Sequence, residues 1–183
     1  MTSKMNERKL LFDVRTKKNK QAFGELYDLY VEKIYRFIYF KINNKEEAED
    51  LTSDVFLKTW NYLMENREKE LLSFSGLVYR IARNNIIDLY RKRARMPEVA
   101  LGEEAENVST EPMQEVENIH DAEKLLQLIK KLKQDYQEVL ILKHVEELSI
   151  GEIAEITGRS SVGVRVILHR AMNKLKELSE DTK

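Results

Sequence analysis

Cysteine is absent from this 183-residue chain. That excludes disulfides, thiolate metal centres and thiol nucleophiles, and it is compatible with a reducing compartment. Glycine and proline are scarce, at 6 and 2 residues. With 34% charged residues and abundant Leu, Ile, Glu and Lys, that scarcity points to an all-α protein. No apolar run approaches the roughly 20 residues of a membrane span, and the polar opening residues do not read as a signal peptide. No membrane insertion is therefore expected, and a cytoplasmic location is. Glycine-rich phosphate loops and nucleophile elbows are missing. The three histidines, His120, His144 and His169, fall in a linker and two different helical patterns without ligand-type spacing. The chain is accordingly not expected to be an enzyme, nor to hold a metal or cofactor.

What is present is unevenly distributed. The formal charge of −1 hides a segregation: residues 1–97 carry 20 Lys/Arg against 14 Asp/Glu, residues 98–123 none against 9, and residues 124–183 carry 11 against 9. Two basic blocks flank an acidic stretch, an arrangement suited to a polyanionic partner. The acidic stretch, PEVALGEEAENVSTEPMQEVENIH, contains both prolines, Pro97 and Pro112, and lacks a sustained period until near Glu115. It reads as a flexible linker, longer than the connections inside compact domains. The expected organisation is two small helical domains, 1–96 and 119–183, joined by a linker over 97–118.

Helical periodicity dominates both blocks, with no internal repeat or strand pattern. Residues 21–42 align Phe23, Leu26, Leu29, Tyr30, Ile34, Phe37, Ile38 and Ile42 on one face. Asn44 and Glu47 form a capping-type pair that restarts a helix through Ala48, Leu51, Val55 and Trp60. From about Ser75, Leu77, Val78, Ile81, Ile86 and Leu89 run into a basic end at residues 91–95. A weaker amphipathic stretch covers residues 6–14, and a polar, poorly periodic loop joins Leu63 to Ser73. After the linker, one helix is expected over 117–132 and another from an Asp135/Glu138 cap through His144.

The most informative segment is LSIGEIAEITGRSSVGVRVILHRAMNKL, residues 148–175. Ser149 and Glu152 have capping-box spacing. Ile153, Ala154 and Ile156 supply an inner face, and Gly158 can take the positive φ that ends the helix. Ser160 or Ser161 can cap the next helix, whose apolar positions are Val164, Leu168, Ala171 and Leu175. Its other face carries Arg165, His169, Arg170, Asn173 and Lys174. Two helices on a tight glycine turn, the second apolar behind and donor-rich in front, outline a helix-turn-helix suited to the DNA major groove. The same pattern serves ordinary helical hairpins with a solvated basic face.

Three stretches in order resemble bacterial RNA polymerase sigma factors of the extracytoplasmic-function (ECF) group. They are AFGELYDLYVEKIYRFIYFKINNKEEAEDLTSDVFLKTW (22–60), FSGLVYRIARNNIIDLYRKRAR (74–95) and LKQDYQEVLILKHVEELSIGEIAEITGRSSVGVRVILHRAMNKLKEL (132–178). The resemblance implies a promoter-specific initiation factor whose partners are core RNA polymerase, promoter DNA and an anti-sigma factor. On it, the N-terminal domain binds the clamp helices of core polymerase and assists melting at the minus-ten element, and the C-terminal domain reads the minus-thirty-five element. The linker then threads toward the RNA exit path, either as a solvated tether or as a charge mimic that excludes RNA.

The resemblance carries residues with it. Asp50, Leu51, Asp54, Phe56 and Trp60 are expected at the polymerase-docking surface, with Leu51 and Phe56 equally readable as core. Arg80, Arg83, Asn84, Asp88 and Arg91 are expected toward minus-ten DNA, since Arg suits phosphates and Asn an exposed base edge. The loop at residues 65–73 lies where the family captures an extruded base. Arg165 and His169 are expected at base edges of the minus-thirty-five element, and Ser161, Arg159, Lys143 and Arg170 at its backbone. Arg170 is equally readable as half of a structural pair. Many family members carry Thr or Ala at the position of Gly163, which leaves the contact set open there. The alternative is a helix-turn-helix regulator that does not associate with core polymerase; it accounts for residues 148–175 but not for 22–95.

Overall fold

The computed structural model describes residues 2–71, 73–95 and 118–180. The acidic linker expected over 97–118 therefore lies almost wholly outside the described residues. The chain divides into two compact units, Met1–Gly102 and Glu103–Lys183. Regular structure among the described residues is helical throughout.

The N-terminal unit packs α1 (Thr2–Lys17), α2 (Lys20–Ile42), α3 (Lys45–Glu65) and α4 (Phe74–Arg95). α1 is longer than its weak amphipathicity suggested, and it buries Leu10, Leu11 and Val14. Asn19 opens α2 by accepting from the Gln21 and Ala22 amides at 3.0 and 3.2 Å. The Asn43–Asn44 pair then does two jobs. Asn43 adopts a left-handed φ of 53° and ends α2, while Asn44 accepts from Glu47 N–H at 3.0 Å and starts α3. Asn tolerates the left-handed region and caps helix starts well, so one dipeptide can turn the chain without glycine. Glu47 does not complete a capping box; its carboxylate pairs instead with Arg93 on α4.

Aromatic contacts at the helix junctions close this core. Phe74 lies 5.3 Å from Tyr30 and 6.3 Å from Phe23, Phe23 meets Trp60 edge-on at 5.1 Å, and Phe37 meets the buried Tyr79 at 5.4 Å. Such tilted and edge-to-face pairs add to the area they bury. Leu29 departs from its expected place on the inner face of α2 and is exposed.

The C-terminal unit comprises α5 (Asn118–Lys130), α6 (Gln134–Leu140), a π-helical continuation at Ile141–Val145, α7 (Ile150–Thr157) and α8 (Ser161–Glu180). The expected Asp135 cap is not formed. Lys133 occupies the cap position without a side-chain bond, and Asp135 instead binds Arg159 across the unit at 2.6 Å. The capping box at α7 is complete: the Ser149 hydroxyl accepts from Glu152 N–H at 3.3 Å, and the Glu152 carboxylate accepts from Ser149 N–H at 2.9 Å. Gly158 has φ 68°, a conformation glycine adopts without the Cβ penalty. Its turn sends the chain directly into α8, whose Val164 and Ala171 are fully buried.

Candidate nucleic-acid and polymerase interfaces

Of the two candidate caps for α8, Ser160 is the one used. Its hydroxyl accepts from Gly163 N–H at 3.1 Å, leaving Ser161 half-buried as the first helical residue. A Cβ at position 163 would sit 3.2 Å from that hydroxyl. Gly163 thus gives the cap room, a local reason for glycine that costs ~1 kcal/mol of helix propensity relative to Ala.

The cap fixes which face α8 presents. Arg165 and His169 are one turn apart and exposed, as is Arg170. Among the described residues these three make no hydrogen bond or ion pair within the unit, so Arg170 does not form the structural pair that was one of its readings. Arg159 is exposed and bound to Asp135. Lys143 sits half-buried in the π-helical segment, where its ammonium donates to the Leu148 carbonyl at 3.3 Å. Those two cations are partly committed to the fold; Arg165, His169 and Arg170 are not. Sequence reasoning missed Val162 and Val166, 66% and 42% exposed. Val162 lies one turn before Arg165 and Val166 one turn before His169, each at i−3 and so beside that residue on the helix surface. Branched apolar residues on a polar face were the available signal.

In the N-terminal unit, helical phase brings Arg80, Arg83, Asn84, Asp88 and Arg91 onto one outward stripe of α4. Arg80 is half-buried with its guanidinium 5.8 Å from the centre of the Tyr62 ring. Arg83 is half-buried and Asn84 exposed. Arg91 and Asp88 are exposed and lie 3.5 Å apart. The stripe ends in the basic turn of Lys92, Arg93 and Arg95.

Behind it lies Asn85, only 6% exposed, which sequence reasoning passed over. Its amide donates to Asp54 at 2.9 Å and accepts from Lys58 at 2.8 Å, and Lys58 and Asp54 are themselves 2.7 Å apart. A polar residue in the apolar phase of α4, between Ala82 and Ile86, was the readable signal.

That triad alters the docking surface. Asp54 is tied to α4, so a reversed charge there would disrupt packing as well as any partner. Phe56 is 4% exposed and packs 4.6 Å from Tyr27; it is core and cannot touch polymerase. Leu51 and Trp60 are half-buried. Asp50 is exposed, flanked on α3 by exposed Glu46 and Glu49. A rim of acids beside partly covered apolar side chains suits a protein partner.

The loop between α3 and α4 is held from α1. One terminal nitrogen of Arg15 donates to the carbonyls of Asn66, Arg67 and Lys69, the first at 3.3 Å. Glu7 accepts from the Phe74 amide at 3.2 Å and from the Tyr30 hydroxyl at 2.6 Å, and Ser73 caps α4 through Gly76 N–H at 3.0 Å.

Comparison with known proteins fits both units. Residues 26–96 match the sigma-70 region 2 family and residues 122–175 the sigma-70 region 4 family. The chain is 33% identical to the RNA polymerase sigma factor YlaC of Bacillus subtilis over 87% of its own length and 93% of the relative's. It is 32% identical to the ECF sigma factor BldN of Streptomyces coelicolor, over 87% of this chain and 61% of BldN. Among solved structures, RpoE of Bartonella quintana, in complex with the anti-sigma factor NepR, matches with a TM-score of 0.69 and 24% identity, covering 86% of this chain and 96% of that one; that likeness supports the fold. The chain belongs to the sigma-70 family, among the ECF RNA polymerase sigma factors. It is a non-catalytic, promoter-specific transcription initiation factor. No helix among the described residues is long and apolar enough to cross a membrane.

Proposed function

We propose that this sigma factor grips a promoter at two points, with the C-terminal unit (119–183) reading the minus-thirty-five element and the N-terminal unit (1–96) holding the opened minus-ten element while docked on core polymerase. The observation that carries this reading is the capped α7–turn–α8 unit with Arg165 and His169 uncommitted on one outward face. A helix of about 10–12 Å diameter fits the major groove, and its first turns meet base edges. Arg165 and His169 then read bases, with Ser161, Arg159, Arg170 and Lys143 toward the backbone.

On α4, Arg80, Arg83 and Arg91 neutralise phosphates, and Asn84 offers an amide to an unpaired base. Asp88, ion-paired with Arg91, orients that arginine. The loop at residues 65–73 receives the extruded base. Core polymerase meets Asp50, with Leu51 and Trp60 as the partly covered apolar centre. The linker, 97–118, occupies a nucleic-acid path in the polymerase as an acidic mimic. Replacing its glutamates with Gln should change abortive initiation more than promoter binding, and equal effects on both would refute that role. An anti-sigma factor like the one bound to the Bartonella relative covers the docking face between activations, and the protein works in the cytoplasm.

Run-off transcription with purified core enzyme and a genomic library tests the whole. Shared upstream elements at the mapped start sites are expected. Sequence-specific binding by the chain alone, with no transcription when core enzyme is added, would favour the regulator that never enters polymerase.

A further inference from the structure

We propose that α1 is a brace that presets loop 66–71, so that Glu7 and Arg15 govern how selectively the N-terminal unit holds an unpaired minus-ten base. The proposal rests on the reading that this loop receives the base. α1 lies outside both matched family regions, which begin at residue 26 and residue 122.

The loop has little bonding of its own. Among its described residues the backbone closes one turn, Lys69 N–H to Asn66 carbonyl at 3.3 Å. The Arg67 side chain reaches back to the Met64 carbonyl at 3.2 Å, and Asn66 donates to the Tyr62 carbonyl from its N–H at 2.9 Å and its side-chain amide at 3.0 Å. Arg15 supplies what the loop lacks. Gathering the carbonyls of Asn66, Arg67 and Lys69 around one guanidinium fixes the curvature of the segment's first half. Hydrogen bonds from a charged donor are stronger than neutral ones, and the planar guanidinium holds a direction that an ammonium does not.

Glu7 holds the other end. By accepting from Phe74 N–H it fixes the first residue of α4, and the Tyr30 hydroxyl locks the carboxylate in place. Glu7 and Arg15 are eight residues apart on one helix, a separation of about 12 Å along its axis. Leu11, buried between them, seats the strut against the unit. A rigid helix anchored at both points therefore sets the distance between the ends of the loop. Preorganisation of this kind matters for holding a flipped base, because discrimination depends on a pocket that does not adapt to the wrong base.

The test uses reconstituted holoenzyme and single-stranded minus-ten oligonucleotides carrying each of the four bases at the extruded position. Arg15→Gln and Glu7→Gln should lower the affinity ratio between preferred and other bases about tenfold. Arg15→Lys should retain part of the ratio, and binding to core enzyme and to a minus-thirty-five duplex should not change. A variant with residues 67–71 replaced by Gly and Ser separates the two layers of inference. Unchanged discrimination in that variant overturns the base-capture reading and the brace with it. Collapse there, with discrimination intact in Arg15→Gln, overturns the brace alone. A fall in the active fraction of Arg15→Gln with an unaltered ratio makes Arg15 merely structural and also overturns it.

Discussion

The two helices proposed to meet DNA, α4 and α8, are built on opposite plans. α4 is bound to its neighbours by side-chain contacts along its length: Asn85 to Asp54 and Lys58, Tyr90 to the Lys41 carbonyl at 2.5 Å, Arg93 to Glu47, and Arg80 over Tyr62. α8 is seated by buried Val164 and Ala171 and by its Ser160 cap, and it leaves Arg165, His169 and Arg170 uncommitted. On the proposed reading, the difference matches the two substrates. A duplex brings a fixed pattern of donors and acceptors, so its reader needs free groups on a stable helix. Separated strands bring no fixed geometry, so the protein must supply it.

The largest expected effect tests the packing of the wired unit. Phe74→Ala removes a fully buried ring at the junction of α1, α2 and α4 and should destabilise that unit by about 3–5 kcal/mol. Urea unfolding followed by the fluorescence of Trp60, the single tryptophan, would measure it. If duplex binding by α8 fell in step, the contrast between the units would be wrong. Arg165→Ala should do the reverse, costing about 1–3 kcal/mol in minus-thirty-five affinity and relaxing specificity at one base pair. The urea midpoint of the C-terminal unit, followed by helical circular dichroism, should stay at the parent value.

Asn85→Ala should cost about 1–2 kcal/mol of stability by cutting the Asp54–Lys58 pair off from α4. Asn84→Ala, one residue away, should leave unfolding untouched while weakening single-strand binding. Equal stability losses in the two would remove the distinction between inner and outer faces of α4. Val162→Ala should lower minus-thirty-five affinity about fivefold at most, through a lost contact to a thymine methyl. The loss should vanish on a duplex carrying uracil in place of thymine, and persistence there would assign Val162 another role. Smallest of all, Asp135→Asn frees Arg159 from an exposed pair worth about 0–1 kcal/mol. It should tighten DNA binding slightly and steepen its salt dependence by about one unit.

Much of this was legible before any coordinates. The Ser149–Glu152 capping box, the Gly158 turn and the Asn44 cap are local features, set by residues within four positions of each other, and all three formed. The Asp135 cap failed because α6 begins at Gln134, with Lys133 in the cap position, and the Asp135 carboxylate is bound instead by Arg159, 24 residues away. Glu47 likewise gave up its capping role to Arg93, 46 residues away. Phe56 read equally well as surface or core, since periodicity gives the phase of a helix but not the depth to which a neighbour covers it. Val162 and Val166 were visible as an anomaly on a polar face, yet only exposure separated them from Val164, which is fully buried.

The sequence by itself determined the helices, the caps at Asn44, Ser149 and Gly158, the order of the two basic blocks and the family to which they belong, because those depend on periodicity and short-range chemistry. Tertiary structure alone decided which charged groups remain available and which are consumed. Asp54, Asn85, Glu7 and Arg15 take partners 23 to 67 positions away along the chain, except where Asp54 also meets Lys58 one turn on. A charged side chain in water has no preferred partner; packing the helices supplies one.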